Sequence, residues 1–201
     1  MLELLIATHN LGKLQEYQEL LPHYQFVGLN DVGLGSLDVE ETGTTFLENA
    51  ALKATTYARA SGRITISDVS GLCVDALNGA PGLYSARYGG AGLDEAGRRA
   101  YLLEQMKAVL DGERAAQFVC VIAVHDPRDS KTYAVEGVSA GRILLTQSDG
   151  PAGFGYDRLF VPEDYEISFA DMPTHQKNSL SHRGRAVVKL EGVLREVLNN
   201  E

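Results

Sequence analysis

The stretch Arg63-Ile64-Thr65-Ile66-Ser67-Asp68-Val69-Ser70-Gly71-Leu72-Cys73-Val74-Asp75-Ala76-Leu77 decides the fold. Its flanks, residues 63–67 and 72–77, are short apolar runs of the kind that form buried strands. Between them, Asp68-Val69-Ser70-Gly71 reads as a polar strand end, where sites collect in α/β proteins. Asp75, between Val74 and Leu77, reads as the polar face of the second strand. Working upstream, Phe46, Ala50, Ala54 and Tyr57 recur at helical spacing, which predicts a helix from about Thr45 to Ala60 that ends near Gly62. Before it lie a strand over Met1 to Ala7, a helix over Lys13 to Leu21, a strand over Tyr24 to Leu29 and a Gly-rich acidic loop over Asn30 to Thr45. Downstream come a Gly79-Ala80-Pro81-Gly82 turn, a helix over Asp94 to Leu110 with Leu102, Met106 and Val109 inward, and a strand over Gln117 to His125. Asp126 to Asp129 is a turn, and Thr132 to Leu145 is one long or two short strands. A glycine-rich loop over Gly150 to Tyr156 and a closing helix over His182 to Asn199 complete the chain. Strands and helices mix without a strict βαβ rhythm, so the expected fold class is α/β, a mixed sheet flanked by helices.

Composition narrows the function. The chain has 201 residues, with 18 Lys and Arg against 27 Asp and Glu, a net charge of −9. That argues against duplex nucleic acid as a partner, which needs a positive surface. It leaves room for an anionic small molecule in a local basic pocket. Cys73 and Cys120 are the only cysteines, too few for a disulfide-rich scaffold or a four-thiolate zinc site. No apolar run approaches the roughly 18 residues of a membrane span. Glu3 precedes Leu4-Leu5-Ile6-Ala7 with no basic region, unlike a signal peptide. The expectation is a cytoplasmic protein with one domain over residues 1–201.

Several polar segments are candidates for chemistry. Thr8-His9-Asn10-Leu11-Gly12-Lys13 joins a buried strand to a helix start, where N–H groups, the helix dipole and the Lys13 ammonium suit a phosphate. The same residues also read as a plain turn with Asn10 as helix cap. Asp38, Glu40, Glu41 and Glu48 form an acidic cluster that suits Mg²⁺ or simply water. Gly153-Phe154-Gly155-Tyr156-Asp157 places an aromatic in a glycine-rich loop, either a base-stacking platform whose neighbouring amides meet the ring edge or a core aromatic beside a turn. Lys177, His182, Arg183 and Arg185 form the dense basic patch. With Ser181 as cap, His182 and Arg183 lie in the first turn of the last helix, against the dipole preference, which points to an anion or carbonyl there. Arg87, after a Pro-Gly turn, is a further loop cation. His9, His23, His125 and His175 lack metal-ligand spacing, and no nucleophile elbow is present.

Five ordered motifs give the chain a family likeness: Thr8, Asn10 and Lys13; Glu40 to Lys53 with Phe46-Leu47-Glu48-Asn49-Ala50; Pro81 to Tyr88; Gly153 to Asp157; and Lys177 to Gly184. Over almost its whole length it resembles the inosine/xanthosine triphosphate pyrophosphatases. The resemblance implies an elongated central mixed sheet flanked by helices, in two lobes with a nucleotide cleft between them, and a homodimer. It implies hydrolysis of ITP, dITP and XTP to monophosphate and pyrophosphate with Mg²⁺, which removes these nucleotides from the pool. Lys13, Lys53, Asp68 and position 69 would be catalytic. Thr8, His9, Asn10, Leu11, Gly12, Lys13, Ser70, Arg87, Phe154, Gly155, Tyr156, Asp157, Lys177, His182 and Arg183 would bind substrate. Glu40, Glu41, Asp68 and position 69 would hold the metal.

Position 69 departs from the family pattern. The resemblance implies a second carboxylate there, as metal ligand and general base, and this chain has Val69. Val has neither a lone pair nor a titratable proton. Either an adjacent carboxylate substitutes, or the chain is an impaired form, natural or engineered. The alternative function is a catalytically silent purine-NTP-binding protein. Arg158, where the family often has Pro, is a smaller departure.

Overall fold

The computed structural model describes residues 3–199; Met1 and Leu2, part of the expected first strand, lie outside the described residues. Strands and helices follow in the order β1 (Glu3–Ile6), α1 (Leu11–Leu20), β2 (Gln25–Val27), α2 (Phe46–Ser61), β3 (Thr65–Val74), α3 (Glu95–Gln105), β4 (Ala115–Asp126), β5 (Lys131–Ile143), β6 (Phe160–Pro162), α4 (Thr174–Leu180) and α5 (His182–Asn199). The strands form one sheet in the order β2-β1-β3-β4-β5-β6. It is mixed: β1 pairs in parallel with β2 and β3, and β5 pairs antiparallel with β6. The chain divides into two compact units, residues 1–69, 120–137 and 186–201 in the first and residues 70–119 and 138–185 in the second.

In the first unit, alternation along the strands feeds two cores. Leu4 and Ile6 of β1, Ile64, Ile66 of β3, and Cys120, Ile122 and Val124 of β4 pack with Tyr17 of α1 and with Val187, Leu190 and Leu194 of α5. Leu5 and Ala7 pack instead with Leu29 and with Tyr57 of α2. Both faces are covered, which is why β1 reads as an unbroken apolar run. Helix α2 starts at a capping box: Thr45 Oγ1 accepts the Glu48 N–H at 3.1 Å, and Glu48 Oε2 accepts the Thr45 N–H at 3.1 Å. Hydrogen bonds from Thr44 hold the Glu48 carboxyl below the usual range. The helix closes on Gly62 in the left-handed region, φ 68°.

In the second unit, Leu72, Val74, Leu102, Met106, Ile143 and Met172 surround Phe118, Phe160 and Phe169. The Phe118 and Phe160 rings meet edge-on at 4.7 Å.

Four expectations need correction. The first concerns β3, which does not stop at Ser67; it is continuous through Asp68, Val69, Ser70 and Gly71 to Val74. β3 lies between β1 and β4 in the sheet and pairs with β1 at Thr65 and Ile66; its extended run carries on beyond that pairing despite the poor strand propensity of Asp-Val-Ser-Gly. Asp75 to Leu77 is accordingly a 3₁₀ turn rather than strand. Second, α1 begins at Leu11, two residues before the expected Lys13, because Asn10 caps it. Third, α3 ends at Gln105, not Leu110; the buried Arg114 guanidinium donates to the Met106 and Val109 carbonyls beyond that end. Fourth, β6 and α4 were not expected. One is three residues long, and the other has Leu180 as its sole apolar side chain.

Gly71 shows why a glycine stands in the middle of β3. The 3₁₀ turn Gly82–Arg87 lies directly on it: Ser85 Oγ accepts the Leu72 N–H at 2.9 Å and donates to the Gly82 carbonyl at 2.6 Å. A Cβ on Gly71 would sit 2.2 Å from that carbonyl oxygen. Gly71→Ala is expected to cost about 1–3 kcal/mol, the range for overpacking against a fixed neighbour. Urea denaturation measures it, and a midpoint equal to that of the parent would refute the steric account.

Candidate functional site

In the first unit the candidate residues gather where β1 turns into α1. Asn10 Oδ1 accepts the N–H groups of Gly12 at 2.9 Å and Lys13 at 3.3 Å, and the Asn10 N–H donates to Thr8 Oγ1 at 3.1 Å. Asn10 is therefore the helix cap, and Leu11, Gly12 and Lys13 form the first turn of α1. His9 Nε2 lies 3.1 Å from the Leu37 carbonyl and 3.3 Å from the Tyr57 hydroxyl, which itself donates to Leu37 at 2.7 Å. Burial, and then the nearby Asp38, push the Tyr57 phenol up, so it stays a donor. His9 thus ties this turn to the acidic loop.

Lys13 Nζ reaches Asp68 Oδ2 at 2.8 Å, with the Asp68 side chain fully buried. Cys120 Sγ lies 4.0 Å from the same oxygen. Lys53 pairs with Glu41 at 3.1 Å, while Glu40 is exposed. Alternation puts Asp68 on the β3 face of Ile64 and Ile66, the α1 and α5 side, and Val69 on the opposite face with Thr65 and Ser67. Val69 is buried, 5% exposed. Among the described residues no group of three or more His, Cys, Asp or Glu side chains is placed to hold a metal ion. Asp68 and Glu41 each face a lysine, and Val69 offers no donor. This set does not fit a resident Mg²⁺ held by the protein alone.

The second unit gathers the aromatic and basic candidates. Asp157 Oδ2 accepts the Phe154 N–H at 2.7 Å and the buried Lys177 ammonium at 2.9 Å. Gly153 has φ 79°, and a Cβ there would lie 2.3 Å from Asp157 Oδ2, so both the turn and the carboxylate require glycine. The Phe154 ring is 38% exposed, with Lys177 Nζ 5.1 Å and Arg183 Cζ 5.8 Å from its centroid. Arg183 also donates to Ser70 Oγ at 3.3 Å. Ser181 Oγ accepts the Gly184 N–H at 3.0 Å, so it caps α5 and leaves His182 and Arg183 in the first turn. The His182 ring stacks on Phe118 at 4.7 Å. Tyr156 is buried; burial pushes its phenol up to about 12, and it donates to the Ser85 carbonyl at 3.0 Å. Arg87 is exposed and lies 5.1 Å over the Tyr84 ring.

Two residues outside the sequence-derived set hold the Phe154 loop. Gly155 donates its N–H to Glu95 Oε2 at 3.1 Å, and its carbonyl accepts from Arg99 Nη1 at 2.8 Å. The amides of Phe154 and Gly155 are thus engaged within the protein. The i, i+4 spacing of Glu95 and Arg99 was visible, but it reads as an ordinary surface pair on a helix.

Residues 4–193 match the model of the Ham1 family. A dITP/XTP pyrophosphatase from Desulforamulus reducens is 42% identical over 195 residues, covering 96% of each chain. One from Listeria innocua is 40% identical over 206 residues, covering 98% of this chain and 97% of that one. The solved structure of a HAM1 protein from Coxiella burnetii superposes with a TM-score of 0.89 at 39% identity, covering 98% of this chain and 100% of the other. With matches of this depth and coverage in both sequence and fold, the chain belongs to the Ham1 family.

Proposed function

We propose that this chain binds ITP, dITP and XTP and that its scaffold serves their hydrolysis to the monophosphate and pyrophosphate, with turnover limited by Val69. The observation that carries the binding half is Phe154, an exposed ring on a buried Asp157–Lys177 frame with Arg183 beside it. A purine offers a π-face to the ring, and a 6-keto group offers an acceptor to the cations. An adenine amino group would leave a donor facing donors, which disfavours ATP. Within the first unit, Lys13, Lys53 and the start of α1 have the chemistry that suits phosphate. The dITP/XTP pyrophosphatase relatives support the reaction class. Water attacks the α-phosphorus, and the bond to the bridging oxygen breaks as pyrophosphate leaves. Mg²⁺ enters this reading as part of the substrate, a magnesium–triphosphate complex. The whole chain, residues 1–201, acts as one cytoplasmic domain, and the family resemblance implies a homodimer. Among the described residues no helix is long and apolar enough to cross a membrane.

A specific observation favours the second reading, a silent purine-NTP binder. Asp68, the neighbouring carboxylate, points to the other face of β3 and is engaged by Lys13 at 2.8 Å. It is poorly placed to replace a base at position 69. General base catalysis contributes roughly 10²–10⁴-fold. With ITP and Mg²⁺, turnover is therefore expected to be slow, and Val69→Asp is expected to raise kcat/KM at least about 10²-fold. Release of IMP and pyrophosphate is the measurement. A parent chain as fast as Val69→Asp, which loses activity on Asp68→Asn, would assign the base to Asp68 and sink this account.

Phe154→Ala is expected to weaken a non-hydrolysable ITP analogue by about 1–3 kcal/mol, the worth of one base–aromatic stack. Stability should be nearly unchanged, because the ring is not core. Calorimetric titration beside urea melts decides. A stability loss of ~3–5 kcal/mol would mark a core aromatic instead.

A further inference from the structure

We propose that Glu95 and Arg99 of α3 are positioning residues for the Phe154 ring, acting as a two-point clamp on Gly155; this rests on the reading of Phe154 as the base platform. The pair is not a simple ion pair. Arg99 Nη1 and Glu95 Oε2 are 3.8 Å apart, farther than either is from Gly155. The shorter contacts are the Glu95 acceptor to the Gly155 N–H at 3.1 Å and the Arg99 donor to the Gly155 carbonyl at 2.8 Å. Arg99 is 8% exposed, and its Nε donates to Gln147 Oε1 at 3.1 Å, which fixes the guanidinium plane. A buried guanidinium needs such acceptors, and here a loop backbone supplies one.

The clamp acts where the loop is least able to hold itself. Gly153 and Gly155 flank Phe154 with φ of 79° and 60°, conformations that glycine adopts but does not enforce. Asp157 holds the Phe154 N–H, and Glu95 holds the next N–H along the chain. The peptide groups on both sides of the Phe154 Cα are therefore fixed, and with them the direction of its Cα–Cβ bond. Freeing one side makes the ring search orientations before a base can stack. The cost falls on purine binding and spares the phosphates.

The test titrates a non-hydrolysable ITP analogue and inorganic triphosphate into the full chain, into Glu95→Ala, Arg99→Lys and Phe154→Ala, and into the Phe154→Ala/Arg99→Lys double variant. Hydrogen exchange of the Gly155 amide is followed in the parent and in Glu95→Ala. Glu95 is half-exposed and Arg99→Lys keeps the charge, so both variants are expected to fold. The clamp variants should raise Kd for the analogue about three- to tenfold, the order of re-immobilising one side chain. Triphosphate affinity should stay within about twofold. Arg99→Lys should add nothing once Phe154 is Ala, because its effect passes through the ring. Gly155 exchange should accelerate in Glu95→Ala. Unchanged exchange, equal losses for triphosphate, or full additivity in the double variant would each overturn the clamp. If Phe154→Ala leaves analogue binding intact while Gly155 exchange still accelerates in Glu95→Ala, the platform reading has failed, and the clamp's role in binding falls with it.

Discussion

One buried charge organises the first unit. Asp68 stands in the middle of an unbroken strand, its side chain without solvent contact, on the face that also carries Ile64 and Ile66. A carboxylate so placed needs a close countercharge, since removing the partner of a buried pair costs about 3–5 kcal/mol. Lys13 supplies it, and Lys13 stands in the right place because α1 begins at Leu11, under an Asn10 cap that Thr8 in turn supports. The Thr-x-Asn-x-x-Lys motif is therefore structural before it meets any ligand. A phosphate that recruits Lys13 shares it with Asp68, so binding and the integrity of β3 draw on the same ammonium.

The second unit repeats this logic with an aromatic added. Asp157 and Lys177 are both buried, and their ion pair stands under Phe154, with Asp157 also taking the Phe154 N–H. Close approach of this carboxylate to the loop backbone is possible only because residue 153 has no Cβ. Lys177 reaches Asp157 from α4, which ends at Ser181, where the capping hydroxyl starts α5. One serine thus closes the helix that carries Lys177 and opens the one that presents His182 and Arg183. The Arg183 guanidinium at a helix start runs against the dipole. Both side chains are held by their neighbours instead, His182 on the Phe118 ring and Arg183 at Ser70 and Phe154.

What was legible in the sequence followed from local rules. Helix α2 was legible through the helical spacing of Phe46, Ala50, Ala54 and Tyr57 and through Gly62 as its end, because periodicity and capping are written in nearby residues. Ser181 was readable as a cap for the same reason. Helix α4 was not, because Thr-His-Gln-Lys-Asn-Ser-Leu has no apolar stripe and is held by Lys177 reaching a distant carboxylate. Residues 68–71 read as a strand end because Asp-Val-Ser-Gly has poor strand propensity, and the place of β3 between β1 and β4 is set by segments distant in sequence. The same limit hid Glu95 and Arg99: their spacing predicts a pair on a helix, whereas their partners lie about sixty residues away in sequence.

The continuity of β3 also gives Val69 a physical meaning. In a loop, Val and a carboxylate differ little in conformational cost. In an interior strand position that is 5% exposed they differ greatly. Burying Val contributes about 1.5–3 kcal/mol, and its branched Cβ suits the pleat. A carboxylate at the same place must keep a cation or water beside it, or bear a desolvation cost of several kcal/mol. Asp68 cannot lend its partner, because Lys13 is on the opposite face. A carboxylate at 69 would therefore be a locally destabilising residue kept for chemistry, and Val69 replaces that tension with packing. The groups suited to phosphate and base, Lys13, Lys53, Phe154, Lys177 and Arg183, are held by contacts that do not involve residue 69. Residue 69 and these groups therefore rest on different contacts, and a substitution at 69 leaves their supports in place.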